Sequence, residues 1–229
     1  MAQIQESLLQ FLGELAENNN REWFDEQKTR YTKEQDLFND FSNSVLEGLR
    51  EVDKIEKLKI YRIYRDIRFS KDKTPFKTNR TLNFIREGEA LRGSYYMHIA
   101  PGDSYIGAGF FSPNPADLLR IRKEFEMDDQ EIRDIMNVPE FKKAFGNEFV
   151  PKDQVKTAPK GFSKDHKALD LIKNKTFFFK QSFTDEQILK ENFKDEVLKS
   201  YQLLRPFLNY MSDVLTTDLN GVSLLKDQE

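Results

Sequence analysis

The chain contains no cysteine, so it can form no disulfide, no zinc–thiolate centre and no thiol nucleophile. Histidine, the residue type whose ordinary pKa lies nearest neutrality, is nearly as scarce, with His98 and His166 alone. No apolar run approaches the roughly 20 residues of a membrane span, which argues against membrane insertion. The opening Met-Ala-Gln-Ile-Gln-Glu has neither the basic nor the apolar region of a signal peptide. Also missing are a Walker loop, a Gly-x-Ser-x-Gly elbow and a His-Glu-x-x-His motif. Gly107-Ala-Gly109 lacks the third glycine and the following helix of a dinucleotide fingerprint, so close backbone packing is its expected role. A soluble, cytoplasmic protein is expected, and the absence of cysteine fits a reducing compartment.

What is present points to one place. The 229 residues suit a single domain spanning 1–229, with twenty phenylalanines and eight tyrosines to fill its core. The net charge is −3, yet Lys59 to Arg80 holds eight basic residues against two acids. Overall acidity argues against coating nucleic acid, whereas a local basic patch can still hold a phosphate.

Apolar spacing predicts a helical pair over about 3–50, with Asn19 or Asn20 capping the second helix at Arg21. The period then changes to two. A strand is predicted over Ile60–Phe69, burying Ile63, Ile67 and Phe69 and presenting Arg62, Tyr64, Asp66 and Arg68. Arg65 falls on the apolar parity, so it needs either a bulge or a partner. After a loop over Ser70–Asn79, strands are predicted at Thr81–Glu87, Tyr95–Ala100 and Tyr105–Phe111, the last two as a hairpin over Pro101-Gly102-Asp103. A helix over about 115–126, shorter helices to 147, a turn-rich loop over 155–166 and a strand over Thr176–Phe183 follow. Helix is predicted from Glu186 to about Leu219, kinked or split at Pro206, with a frayed tail from Gly221. The fold class is α+β: an antiparallel sheet of about five strands, at about 60–111 plus 176–183, with helices packed on it.

These residues carry a resemblance. Arg62, Arg65, Asp66, Arg68 and Phe69, followed by Asp72, Lys73 and Phe76, form an Arg-x-x-Arg-Asp-x-Arg-Phe stretch with a nearby Asp-Lys and aromatic. With Asn18 to Phe24, Tyr95 to Ile99 and Ala158 to Phe162, they make the chain similar to an uncharacterised bacterial family, with related regions in longer fungal proteins, described as a domain of unknown function. The family usually has tyrosine at the position of Phe76, so no phenol there can be a required proton donor. The resemblance implies kinship and no agreed activity.

The chemistry is therefore weighed on the residues alone. Arginine suits a bidentate grip on phosphate, and lysine acts as a compact point charge. Arg62, Arg65, Arg68, Lys71, Lys73 and Lys77 are the candidate ligand-binding residues, with Lys160 reaching in from a second loop. Their expected ligand is a phosphate-bearing small molecule or a nucleic-acid end, and catalysis would fall to His98 or Asp66 in proton transfer. Asp66 has the alternative role of orienting Arg62 or Arg68. No metal site is expected, and no cofactor can be named. Two other readings stand beside this one: a non-enzymatic module docking a protein partner, or a structural salt-bridge network, with Glu87, Glu89, Asp103 and Asp117 as candidate acids.

Overall fold

The computed structural model describes residues 2–225. Its N-terminal helices are α1 (Glu6–Glu17), α2 (Arg21–Glu26) and α3 (Lys28–Arg50). Strands β1 (Ile55–Ile60), β2 (Arg80–Arg86), β3 (Ser94–Ile99) and β4 (Ser104–Phe110) follow. Then come α4 (Pro115–Met127), α5 (Gln130–Asn137), α6 (Pro139–Phe145), α7 (Leu169–Ile172), β5 (Phe177–Phe183), α8 (Asp185–Ile188) and α9 (Phe193–Thr216). The strands form one antiparallel sheet in the order β1-β2-β3-β4-β5, so the fold is α+β. Among the described residues no helix is long and apolar enough to cross a membrane.

Two compact units divide the chain. The first holds residues up to Phe84, Tyr96–Ile106 and Ser182–Lys199. Its core is aromatic: Phe11, Phe24, Phe38, Phe41, Phe76 and Phe193 are all at most 3% exposed. The second holds Ile85–Tyr95, Gly107–Gln181 and residues from Ser200 onward. There Phe125, Phe141, Phe149, Phe177, Phe179 and Phe207 are buried, many edge to face. In both units most of the phenylalanines are core material, Phe69 in the first and Phe111 in the second being exposed.

Several sequence expectations shift. The second helix breaks at Gln27 instead of running from Arg21 to Arg50. Asn20 is its cap, accepting from the Trp23 N–H at 3.0 Å, which leaves Asn19 free for another task. The C-terminal helix breaks between Ile188 and Phe193, while Pro206 sits inside α9 without splitting it. The tail does not fray at Gly221: Ser223 bridges Thr217, and the Leu224 N–H donates to the Thr216 carbonyl at 2.7 Å. Residues 226–229 of that tail lie outside the described residues.

Gly107 and Gly109 do let backbones approach. A Cβ on either would run into a carbonyl of β5, of Phe179 or Phe177 respectively.

Candidate functional site

The basic stretch is a loop, not a strand. β1 ends at Ile60, and Tyr61–Asn79 carries only the isolated Tyr64–Phe76 bridge as regular pairing. The cause is local. The Asp66 carboxylate accepts from the Arg68 N–H at 3.2 Å, and Asp72 accepts from the Thr74 N–H at 2.9 Å. Such side-chain turns compete with a sheet ladder for the same backbone donors. Ile63 is buried as expected, but Ile67 is only partly so and Phe69 is 96% exposed.

Four devices order this loop. Asn19, in the turn between α1 and α2, donates from Nδ2 to the Phe76 carbonyl at 3.0 Å and accepts the Phe76 N–H at 3.1 Å. Phe24 stacks on the Phe76 ring, with centroids 4.0 Å apart. Arg65 finds its partners inside the loop, on the carboxylate of Asp72 and on the carbonyl and hydroxyl of Thr74. Lys73 Nζ donates to the Ile67 carbonyl at 2.9 Å, closing the tip.

The arginines named from sequence therefore separate into two groups. Arg65 pairs with Asp72 at 2.5 Å and Arg68 with Asp66 at 2.7 Å, both acids of the same loop. Of the acids expected to serve as partners, Asp117 instead pairs with Arg92 at 2.6 Å. Arg62, Lys77 and Arg80, by contrast, have no carboxylate within salt-bridge distance among the described residues. Lys77 and Lys59 place their ammonium groups over the Tyr61 ring, 5.5 and 5.0 Å from its centroid. Burial, then the nearby Arg80 and Arg62 charges, push the Lys77 ammonium below its ordinary pKa. Lys71 is exposed, and Lys160 sits in an exposed turn of the second unit.

Arg80 was counted in the basic stretch but not singled out. Its side chain is sealed in the first unit at 2% exposure, against the rings of Phe38 and Tyr31. Gln35 Oε1 accepts from Nη2, the Tyr31 hydroxyl acts on the guanidinium as well, and Nε and Nη1 have no hydrogen-bond partner among the described residues. Burial lowers its pKa. The even-numbered parity of β2, Arg80-x-Leu82-x-Phe84, is the signal that could have found it.

Two hollows flank Arg65. One, of about 360 Å³, is lined by Asn19, Thr74, Thr78 and Asn79 with three charged groups, Arg65, its partner Asp72 and Lys77. The other, of about 310 Å³, is more apolar and lies between Arg21, Asp25, Tyr64, Ile67 and Phe76.

A family model described as "Conserved hypothetical protein (DUF2461)" matches residues 7–210. The chain belongs to the DUF2461 family. No curated protein and no solved structure matches it. In this DUF2461 chain the two candidate proton-transfer groups stand apart in character. Asp66 is held below its ordinary carboxyl pKa by the Arg68 side chain, then by the Arg68 N–H, which makes it a weak base. His98 projects from β3 on the face opposite Tyr95, Met97 and Ile99, with its imidazole stacked on Tyr105 at 4.7 Å. Tyr96 lies alongside, 5.8 Å from Tyr105, and its phenol is raised above the ordinary value by burial and by Tyr105.

The loop's acid dependence follows from Asp72. Its pKa is lowered from 3.8 to about 2, by the Thr74 N–H, then the Arg65 guanidinium and the Thr74 hydroxyl. A depressed carboxyl stabilises the ordered loop above its unfolded pKa and loses that contribution as it protonates. The amide resonances of Arg65 and Thr74 should hold steady above pH 4.5 and shift together as pH falls from about 3.8 toward 2. Movement centred above pH 5 would assign the ordering to some other group.

Proposed function

We propose that the protein binds a phosphate-bearing small molecule in the polar cleft beside Lys77, using cations that its own acids leave unneutralised. One observation carries this reading: Lys77 lines the cleft with no carboxylate within salt-bridge distance among the described residues, while Arg65 and Arg68 are already balanced by Asp72 and Asp66. The labour is divided within one loop. Arg65 shapes the cleft wall by holding Asp72 and Thr74, and Lys77 supplies charge to whatever enters.

The cleft is supported as a ligand site by its lining as well as its charge. Thr74, Thr78, Asn79 and Asn19 offer hydroxyl and amide groups around Lys77, and about 360 Å³ accommodates a phosphate with a small organic group attached. Like charges held together at the edge of a core are unfavourable, so an anion that relieves them gains affinity from that relief. A cytoplasmic setting, read from the lack of cysteine, suits a soluble phosphorylated metabolite. His98 and Asp66 remain the groups through which proton transfer would run if the ligand reacts.

Titration calorimetry with inorganic phosphate and phenyl phosphate at pH 8 tests the reading. Binding is expected in the wild type, and Lys77→Ala should weaken it about ten-fold or more, the usual loss for a charged hydrogen-bonding partner. Equal affinity in Lys77→Ala, with unchanged melting, would remove the cleft from consideration.

A further inference from the structure

Tyr61, the first residue past β1, gathers two cations. Lys59 Nζ lies 5.0 Å and Lys77 Nζ 5.5 Å from the centroid of its ring. A ring face attracts an ammonium through its quadrupole without using up the N–H donors of that ammonium. Neither lysine has a carboxylate within salt-bridge distance among the described residues. The phenol adds a third donor. Its oxygen accepts from Asn83 Nδ2 at 3.0 Å, and among the described residues nothing accepts its own hydrogen. Two ammonium groups and one O–H thus meet at a partly exposed ring, with no acid of the protein paired to either cation.

Lys77 also lines the polar hollow, so the hollow and the ring are neighbours. The hollow has an acid in its wall: Asp72, whose carboxylate is engaged by Arg65 and Thr74. A carboxylate repels a phosphate, yet its remaining lone pairs accept from a hydroxyl. Thr78 and Asn79 line the hollow too, and their side chains make no hydrogen bond among the described residues. A ligand carrying both a phosphate and hydroxyls is therefore oriented, with its anion toward Tyr61 and its hydroxyls toward Asp72.

We propose that Lys59, Tyr61 and Lys77 form the phosphate subsite, and that the ligand is a phosphorylated polyol or sugar whose hydroxyls meet Asp72, Thr78 and Asn79. The inference rests on the binding reading given above and adds to it two ligand-holding residues and a ligand class. Lys59 and Lys77 supply charge. Tyr61 supplies a directed O–H and the ring that holds both ammonium groups in place. An apolar body such as a phenyl group would desolvate the amide and hydroxyls of the hollow without pairing them, a penalty that a polyol avoids.

Titration calorimetry at pH 8 compares inorganic phosphate, glycerol 3-phosphate and phenyl phosphate, all chiefly dianions there, so that the organic group varies and the charge does not. In the wild type glycerol 3-phosphate should bind about five-fold or more tightly than phenyl phosphate, the contribution of one net hydrogen bond. Lys59→Ala and Tyr61→Phe should each weaken all three ligands by about five-fold or more, the usual loss for a hydrogen bond to a charged group. Lys57→Ala, two residues back on the same strand, should change them by no more than about two-fold, as loss of a screened surface charge does. Asn79→Ala should remove the margin of glycerol 3-phosphate over phenyl phosphate while inorganic phosphate keeps its affinity. Tyr61→Phe retains the ring beneath both lysines, and unchanged melting temperatures place each loss at the site. Wild-type affinity in Lys59→Ala and Tyr61→Phe, with Lys77→Ala still weakened, overturns the subsite, as does a Lys57→Ala variant as impaired as Lys59→Ala. Phenyl phosphate equal to or ahead of glycerol 3-phosphate overturns the ligand class. A wild type that binds none of the three overturns the binding reading itself.

Discussion

Phe24→Ala is expected to lower stability by about 3–5 kcal/mol, the range for deleting a buried phenylalanine ring. Phe24 is 1% exposed and stacks on Phe76 at 4.0 Å, with Tyr31 at 5.1 Å and Tyr64 at 5.8 Å. Truncation leaves a cavity that none of these rings can fill without abandoning the others, so collapse is limited and the cost lies high in the range. Urea unfolding measures it directly, and Phe24→Leu should cost distinctly less because more of the volume is kept. The effect should also have a local signature. Phe76 carries the loop, so the alanine variant should speed amide exchange across the 61–79 loop at temperatures where the sheet is still folded. A loss below 1 kcal/mol would show that the ring cluster does not support the loop.

Gly109→Ala should cost about 2–4 kcal/mol through two separate causes. The backbone there has φ of 136°, a region L-residues rarely enter, and the new methyl would meet the Phe177 carbonyl and the Phe178 Cα. Neither obstacle is the end of a flexible side chain. The adjacent Gly107 separates the causes, since its Cβ would meet Phe179 backbone and the Phe178 ring without a positive φ. Gly107→Ala should therefore also destabilise, by the steric part alone. Denaturant midpoints for the two variants give the difference. Near-wild-type stability for Gly109→Ala would mean that β4 and β5 separate readily at this point.

The strands and helices were legible wherever one periodicity ran without competition. β2 to β4 carry apolar alternation, β5 an aromatic run, and α4 helical spacing with a clear cap, Asn114 accepting from the Asp117 N–H at 2.9 Å. Polar side chains that take backbone donors override the pattern. Alternation over Arg62–Phe69 imitates a strand, yet Asp66 and Asp72 turn the chain, and Phe69, assigned to the core, is almost wholly exposed. Charge density located the loop, but sign alone could not distinguish Arg65, paired with an acid seven residues away, from Lys77, which meets the Tyr61 ring and no carboxylate among the described residues. Asn19 was equally opaque. Its form suits a helix cap, and only the chain's return 57 residues later gives it a different partner.

That return has a bearing on the order in which the molecule assembles. The Phe76 amide is secured by a side chain from the first helical turn region, so its protection from hydrogen exchange reports on that distant segment as well as on the loop. Closing a link of 57 residues is entropically late, and it comes after the short-range helices have formed. The cleft is accordingly among the last features to mature during folding. Slow exchange at Phe76 would mark the moment at which the 61–79 loop is complete.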